Sequence, residues 1–267
     1  MAYPTLLNPY IKLIRIFIIV SIVSYLGIQT ATAETRFASG DTQVHLIELY
    51  TSEGCNSCPP ADRWLSQLKN SPALFSEVIP AAFHVDYWNY LGWQDKYSQA
   101  EFSNRQRHYF QQKNISGVYT PGMFLDGFEW TQWRSSEKNR FQKNNAMKGN
   151  NIGNLVLTYN NKLIDFEFHP HSESNLNNDT QLSAYVALLG ADINSPIAAG
   201  ENRGKTLQHD FVVLAMDKKT MTKQQDYFVA NLTLSEPTMT APRFAIAAWV
   251  STKDNLAPLQ AAGGWLP

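Results

Sequence analysis

Cys55-Asn56-Ser57-Cys58 holds the only two cysteines of the chain, and two thiols one helical turn apart are the minimum apparatus for exchanging disulfides. A free thiol of pKa about 8.5 is only ~3% thiolate at pH 7. At a helix N-terminus, unpaired N–H groups and the positive end of the dipole favour the anion. Lowering the pKa to about 7 raises the thiolate fraction roughly 16-fold, and lost nucleophilicity takes back nearly 5-fold. Cys55, in the turn before a helix, is the expected exposed nucleophile. Cys58, one turn in and more buried, resolves the mixed disulfide by attacking the Cys55 sulfur. Pro59 and Pro60 suit the first helical turn, where no N–H partner is lost. The carboxylates of Glu53 and Asp62 oppose a thiolate, so no extreme pKa is expected.

Two other uses of the pair stay open. As a staple, a four-residue ring stabilises by roughly 2 kcal/mol, against nearly 5 for a long loop; an interaction protein with a non-catalytic CxxC would carry such a bridge. As a soft-metal module for copper or zinc, the ligand set is Cys55, Cys58 and His84, without a second CxxC to complete it. No cofactor is expected: the chain has no dinucleotide fingerprint, HExxH or Ser-His-Asp signature.

A second chemical signal lies downstream, at Tyr119-Thr120-Pro121 before Gly122-Met123-Phe124-Leu125. A proline entering a strand needs a reason. If the Thr120–Pro121 bond is cis, Thr120 can offer its backbone to an extended substrate; an ordinary trans proline at a strand start is the alternative. His84 to Trp93 is rich in aromatics, and Trp88, Tyr90 and Trp93 are candidates to line a cleft or to cover the sheet. Asp86 is a candidate proton acceptor for Cys58, or a loop cap. Arg105 is expected to pair with a carboxylate or a backbone carbonyl. In Gly200–Leu207, Glu201, Asn202 and Arg203 either project toward the dithiol cleft or form a self-held turn.

These residues need elements to hold them. Residues 42–148 read as alternating strand and helix: strands Val44–Thr51, Val78–Val85 and Val118–Leu125, helices Pro60–Asn70 and Ser98–Asn114, an Asp126-Gly127 hairpin turn, a strand from Phe128, and a closing helix over Gln132–Met147. Lys143 to Asn154 reads as a linker. Residues 152–267 show strands only, with a turn at Asn160-Asn161, which suggests a sandwich or barrel. The predicted fold class is therefore α/β in residues 42–148, followed by a mostly-β, sandwich-like domain.

Residues 1–33 read as a cleaved signal peptide: Lys12 and Arg15, an apolar run from Ile16 to Ile28, then Ala31-Thr32-Ala33. The run is short for a spanning helix, and nothing later is long and apolar enough to span. Its loss leaves 20 basic against 23 acidic residues. With no basic block, nucleic acid is not an expected partner. A periplasmic or secreted location makes an oxidised pair the expected state, with an exported thiol or disulfide protein, or a small thiol, as partner.

CxxC after the first strand and Thr-Pro before a hairpin resemble the thioredoxin superfamily, although Gly54 stands where that superfamily carries Trp. The resemblance implies a thioredoxin-like domain with a central mixed sheet and flanking helices. It also implies a Thr120–Pro121 pair lying against the dithiol and docking the substrate. Over nearly the whole mature chain, Glu48 to Asp62, His84 to Trp93, Arg105-Gln106, Tyr119-Thr120-Pro121 and Gly200 to Leu207 resemble the motifs of a secreted family, domain of unknown function 1223. That family implies architecture but no settled activity. The expectation is an exported thiol–disulfide oxidoreductase.

Overall fold

The computed structural model describes residues 34–134, 149–172, 174, 176, 179–237 and 239–267. The expected signal peptide, most of the closing helix and half of the linker lie outside the described residues. Residues Glu34–Pro267 form one compact unit.

The first strands and helices follow the sequence closely. β1 (Thr35–Ala38) precedes β2 (His45–Thr51), α1 (Pro59–Ser66) runs on into a 3-10 turn at Gln67–Asn70, and β3 (Val78–His84) lies parallel to β2. α2 (Ala100–Gln111) leads to the hairpin of β4 (Gly122–Leu125) and β5 (Phe128–Glu129). Asp126 and Gly127 both have positive φ, as a two-residue hairpin turn demands. The rest is strand: β6 (Gly153–Asn160), β7 (Leu163–Pro170), β8 (Leu182–Ala191), β9 (Ile193–Pro196), β10 (Thr206–His209), β11 (Val212–Thr220), β12 (Thr222–Gln224), β13 (Tyr227–Thr233), β14 (Arg243–Thr252) and β15 (Pro258–Trp265).

The expected α/β class is overturned. The protein is mostly β, with two α-helices among the described residues. It is neither a thioredoxin-like α/β domain with flanking helices nor such a domain followed by a separate sandwich. The cause is strand pairing between distant segments. An open β3 edge would leave a row of unpaired backbone groups. β11 takes it, parallel at Val212 and Ala82, and the sheet grows to eight strands in the order β15-β14-β8-β11-β3-β2-β4-β5. The segments 42–148 and 152–267 thus share one sheet. A second, antiparallel sheet has the order β1-β6-β7-β13-β12.

Side chains alternate across a strand, and the shared sheet uses both faces. On β8, Tyr185, Ala187 and Leu189 enter one core with α1, α2 and β2, while Ala184, Val186 and Leu188 enter the other with β6 and β7. β14 divides in the same way, Ala245, Ala247 and Trp249 against Ile246, Ala248 and Val250.

One charged group sits inside the first core. Glu48, on the interior strand β2, is fully buried. Arg105 of α2 grips it with two bonds of 2.8 and 3.1 Å, and the Tyr109 and Tyr50 hydroxyls donate to it at 2.6 and 2.9 Å. The guanidinium also lies over the rings of Phe83, Tyr109, Tyr185 and Trp249. A buried pair so saturated costs about 3–5 kcal/mol to break from one side. It locks α2 onto the sheet, and α2 in turn places the Thr-Pro segment.

Candidate functional site

The CxxC turn is built where β2 hands over to α1. The Cys55 N–H donates to Ser52 O and the Cys58 N–H to Cys55 O; Cys58 caps α1 by accepting from the Ala61 N–H at 2.8 Å. Pro59 and Pro60 occupy the first helical positions, where a missing N–H costs nothing. Cys55 and Cys58 form a disulfide with Cα atoms 5.5 Å apart. The Ser57 hydroxyl lies 3.3 Å from the Cys55 sulfur.

Neither cysteine is exposed, so the expectation of an accessible Cys55 is corrected for this state. The cover comes from the far half of the chain. β9 and β10 pair as a hairpin, and its tip lies on the CxxC turn. Asn202, fully buried, donates its two amide hydrogens to Glu53 O and Cys55 O, both at 2.9 Å, and accepts from Lys205 Nζ. The Glu201 carboxylate accepts from the Asn56 N–H at 3.1 Å. Gly200, at φ 73°, packs against Trp93, whose Cβ would stand 3.1 Å from any added Cβ. Glu201 and Asn202 therefore reach the dithiol turn, while Arg203 stays exposed.

Facing the turn is the Thr120–Pro121 bond, which is cis. Two contacts fix it. Gln106 of α2 donates to Tyr119 O at 2.7 Å and accepts from the Tyr87 hydroxyl. Trp88 donates its indole N–H to the Thr120 hydroxyl at 2.8 Å and packs over Gly54, where an added Cβ would meet the Trp88 Cβ at 3.2 Å. Between α1 and Pro121 lies an open groove of about 570 Å³. Ser57, Pro60, Arg63, Trp64 and Gln67 line one part, Thr120 and Pro121 another, and Trp133 and Arg134 a third.

The remaining candidates fall as follows. Trp93 donates to the Glu53 carboxylate at 2.8 Å, so Trp88 and Trp93 both pack behind the dithiol turn. Tyr90 is 81% exposed. The tryptophans of the groove are Trp64 and Trp133 instead. The Asp86 carboxylate accepts from the Ser103 hydroxyl of α2, and the Asp86 N–H donates back to it; it ties the end of β3 to α2.

Behind the disulfide lies a buried layer of charge that the sequence did not announce as a group. His84, at the end of β3, holds Asp95 through Nδ1 at 2.7 Å, and Asp95 accepts from the Glu53 N–H. His209, at the end of β10, lies 3.5 Å from Glu53 Oε1 and edge-on to His84. Burial alone lowers the His84 pKa, but the Asp95 carboxylate overrides it and raises the ring to about 9. Burial pushes Glu53 and Asp95 up; His209, Ser195 and His84 around Glu53, and His84 with the Glu53 and Tyr97 N–H groups around Asp95, together hold both carboxyls low. Asp62 is pushed up by burial. Asp95 and His209 went unnoticed, each an isolated polar residue. Among the described residues no three His, Cys, Asp or Glu side chains are arranged to hold a metal, and His84 is committed to Asp95.

Three comparisons bear on this arrangement. A family model described as "Protein of unknown function (DUF1223)" matches residues 46–251. No curated protein matches the chain. Among solved structures, that of protein AGR_C_4864 from Agrobacterium tumefaciens is similar, with a TM-score of 0.57 and 22% identity over 83% of this chain and 94% of that one. HBP35 of Porphyromonas gingivalis also reaches a TM-score of 0.57, with 12% identity over 85% of this chain and 76% of that one. At these identities the likeness is one of fold alone.

Proposed function

We propose that this chain, which belongs to the DUF1223 family, is an exported thiol–disulfide oxidoreductase, directed to the periplasm or beyond by residues 1–33. The observation that carries the proposal is a shared groove: Ser57 of the CxxC turn and the Thr120–Pro121 pair line the same opening. Cys55 is the nucleophile, Cys58 the resolving thiol, and Thr120 with Pro121 the docking edge for the substrate.

In the reduced protein the Cys55 thiolate attacks a substrate disulfide, forms a mixed disulfide and expels one substrate thiolate. The Cys58 thiolate then attacks the Cys55 sulfur, closes the Cys55–Cys58 bond and releases the second substrate thiolate. Two electrons pass to the substrate, and both its sulfurs take protons from solvent. Because the disulfide is covered, the Gly200–Lys205 tip must lift before any re-reducing thiol reaches it. The surrounding carboxylates support one direction of flow. Glu53, held ionised, and Glu201 at the Asn56 N–H oppose a thiolate. A disfavoured thiolate stabilises the disulfide, so the couple acts as a reductant of its substrate.

The test is capture. Cys58→Ser leaves Cys55 without a resolving partner and accumulates mixed disulfides with exported proteins or small thiols, released by dithiothreitol and seen by non-reducing gel and mass spectrometry. Cys55→Ser accumulates none. If reduced Cys58→Ser, incubated with an exported-protein extract and with small disulfides, forms no adduct at Cys55, the exchange mechanism fails.

A further inference from the structure

We propose that the groove between α1 and Pro121 is the docking site for a small thiol or disulfide compound that carries carboxylates, of about tripeptide size. This names the substrate class of the exchange site and rests on the exchange reading above.

The groove offers two cations over an aromatic floor. Arg63 projects from the middle of α1 and Arg134 from the turn after β5; both are exposed. Arg63 makes no ion pair among the described residues. Arg134 lies over the Trp133 ring at 4.7 Å. The carboxylate within reach of its field, Glu129, is already spent on the Tyr119 hydroxyl and on Ser116. Two guanidinium groups that make no carboxylate hydrogen bond among the described residues are suited to planar anions, which they bind by paired, charge-assisted hydrogen bonds.

The other lining residues suit a peptide-like body. Trp64 and Trp133 stand edge-on with ring centroids 6.5 Å apart, and Pro60 and Pro121 add apolar faces. Gln67, Ser57 and the Thr120 backbone add polar groups. A volume of about 570 Å³ lies within the ~300–1,000 Å³ range of small-ligand sites. Two arginines match the two or three carboxylates of one small compound. Asp62 is buried and borders a separate cleft, with Pro59, Arg63, Thr206, Leu207 and Gln208.

The experiment separates docking from exchange. The full chain carrying Cys55→Ser and Cys58→Ser is titrated with oxidised glutathione, with its carboxylate esters and with a cysteine peptide flanked by acidic residues, following tryptophan fluorescence. The expected result is saturable binding of oxidised glutathione, weakened about tenfold or more by esterification and by Arg63→Gln with Arg134→Gln. Thermal melts and circular dichroism confirm that the variants fold. No saturable binding by the folded protein, equal binding of the ester, or indifference to the arginines overturns the site. Tighter binding of the acidic peptide than of glutathione overturns the small occupant. Binding without any exchange by the native dithiol would instead sink the oxidoreductase reading and leave the site standing.

Discussion

Asn202 is the residue on which access to the disulfide turns. Its amide fills two backbone acceptors of the CxxC turn from a segment some 150 positions away, Glu53 O at 2.9 Å and Cys55 O at 2.9 Å. Removing it takes the side-chain donor from the buried Glu53 O, while Cys55 O keeps the Cys58 N–H, a loss of about 1–3 kcal/mol for an unsatisfied group. We expect Asn202→Ala to open the tip more often and to raise the rate of reduction by a small phosphine or dithiothreitol by roughly tenfold. Stopped-flow alkylation or tryptophan fluorescence measures that rate; an unchanged rate means the tip is not the barrier. The sequence offered this residue only as one of two options, because Gly-Glu-Asn-Arg-Gly-Lys is also what an ordinary turn looks like. The place of the thiols was legible, since CxxC falls between a strand-like run and a helix-like one. Their burial was not, because the group that covers them is brought there by a hairpin.

At the scale of elements, the ends of β2, β3 and β10 meet behind the disulfide and are held by charge. His84 ends β3, Glu53 follows β2 and His209 ends β10. Because the folded His84 pKa of about 9 exceeds its ordinary value of about 6.5, the protein binds a proton there that the unfolded chain gives up. That stabilisation is complete below about pH 6.5 and is lost as pH rises through 9. Between pH 7 and 9.5 the loss is on the order of 2 kcal/mol, or a Tm fall of roughly 5 °C. Differential scanning calorimetry reads it directly. His84→Gln flattens the alkaline limb while lowering the Tm at pH 7; a wild-type Tm that holds to pH 9.5 contradicts the ion pair. Many of the elements were legible from local pattern. Pro59 and Pro60 start α1, and Asp126-Gly127 turns the hairpin. The β6–β7 turn came within one position: the positive φ angles fall on Asn161 and Lys162 rather than on Asn160 and Asn161. In β15, Gly263 and Gly264 look like a loop in sequence, yet they let the strand approach Ile246 O and the Phe37 ring more closely than any Cβ would allow.

For the molecule as a whole, the two sequence halves share one sheet, and both supply residues around the Cys55–Cys58 turn. Local pattern suggested an α/β domain and an independent β-domain because pairing between β3 and β11 leaves no local trace. It joins Ala82 to Val212, and only the fold reveals that β3 needs a neighbour. The consequence bears on the proposed exchange: the second half carries the tip that covers the Cys55–Cys58 bond, so access to that bond belongs to the entire chain. The most direct test is a glutathione redox titration of the native, full chain, with the fraction of free thiol at Cys55 and Cys58 read by alkylation and mass spectrometry. The account predicts one reversible two-electron transition, at a potential on the reducing side of about −200 mV. Cysteines that resist reduction at every poise until the protein is denatured would show a sealed staple, and would contradict it.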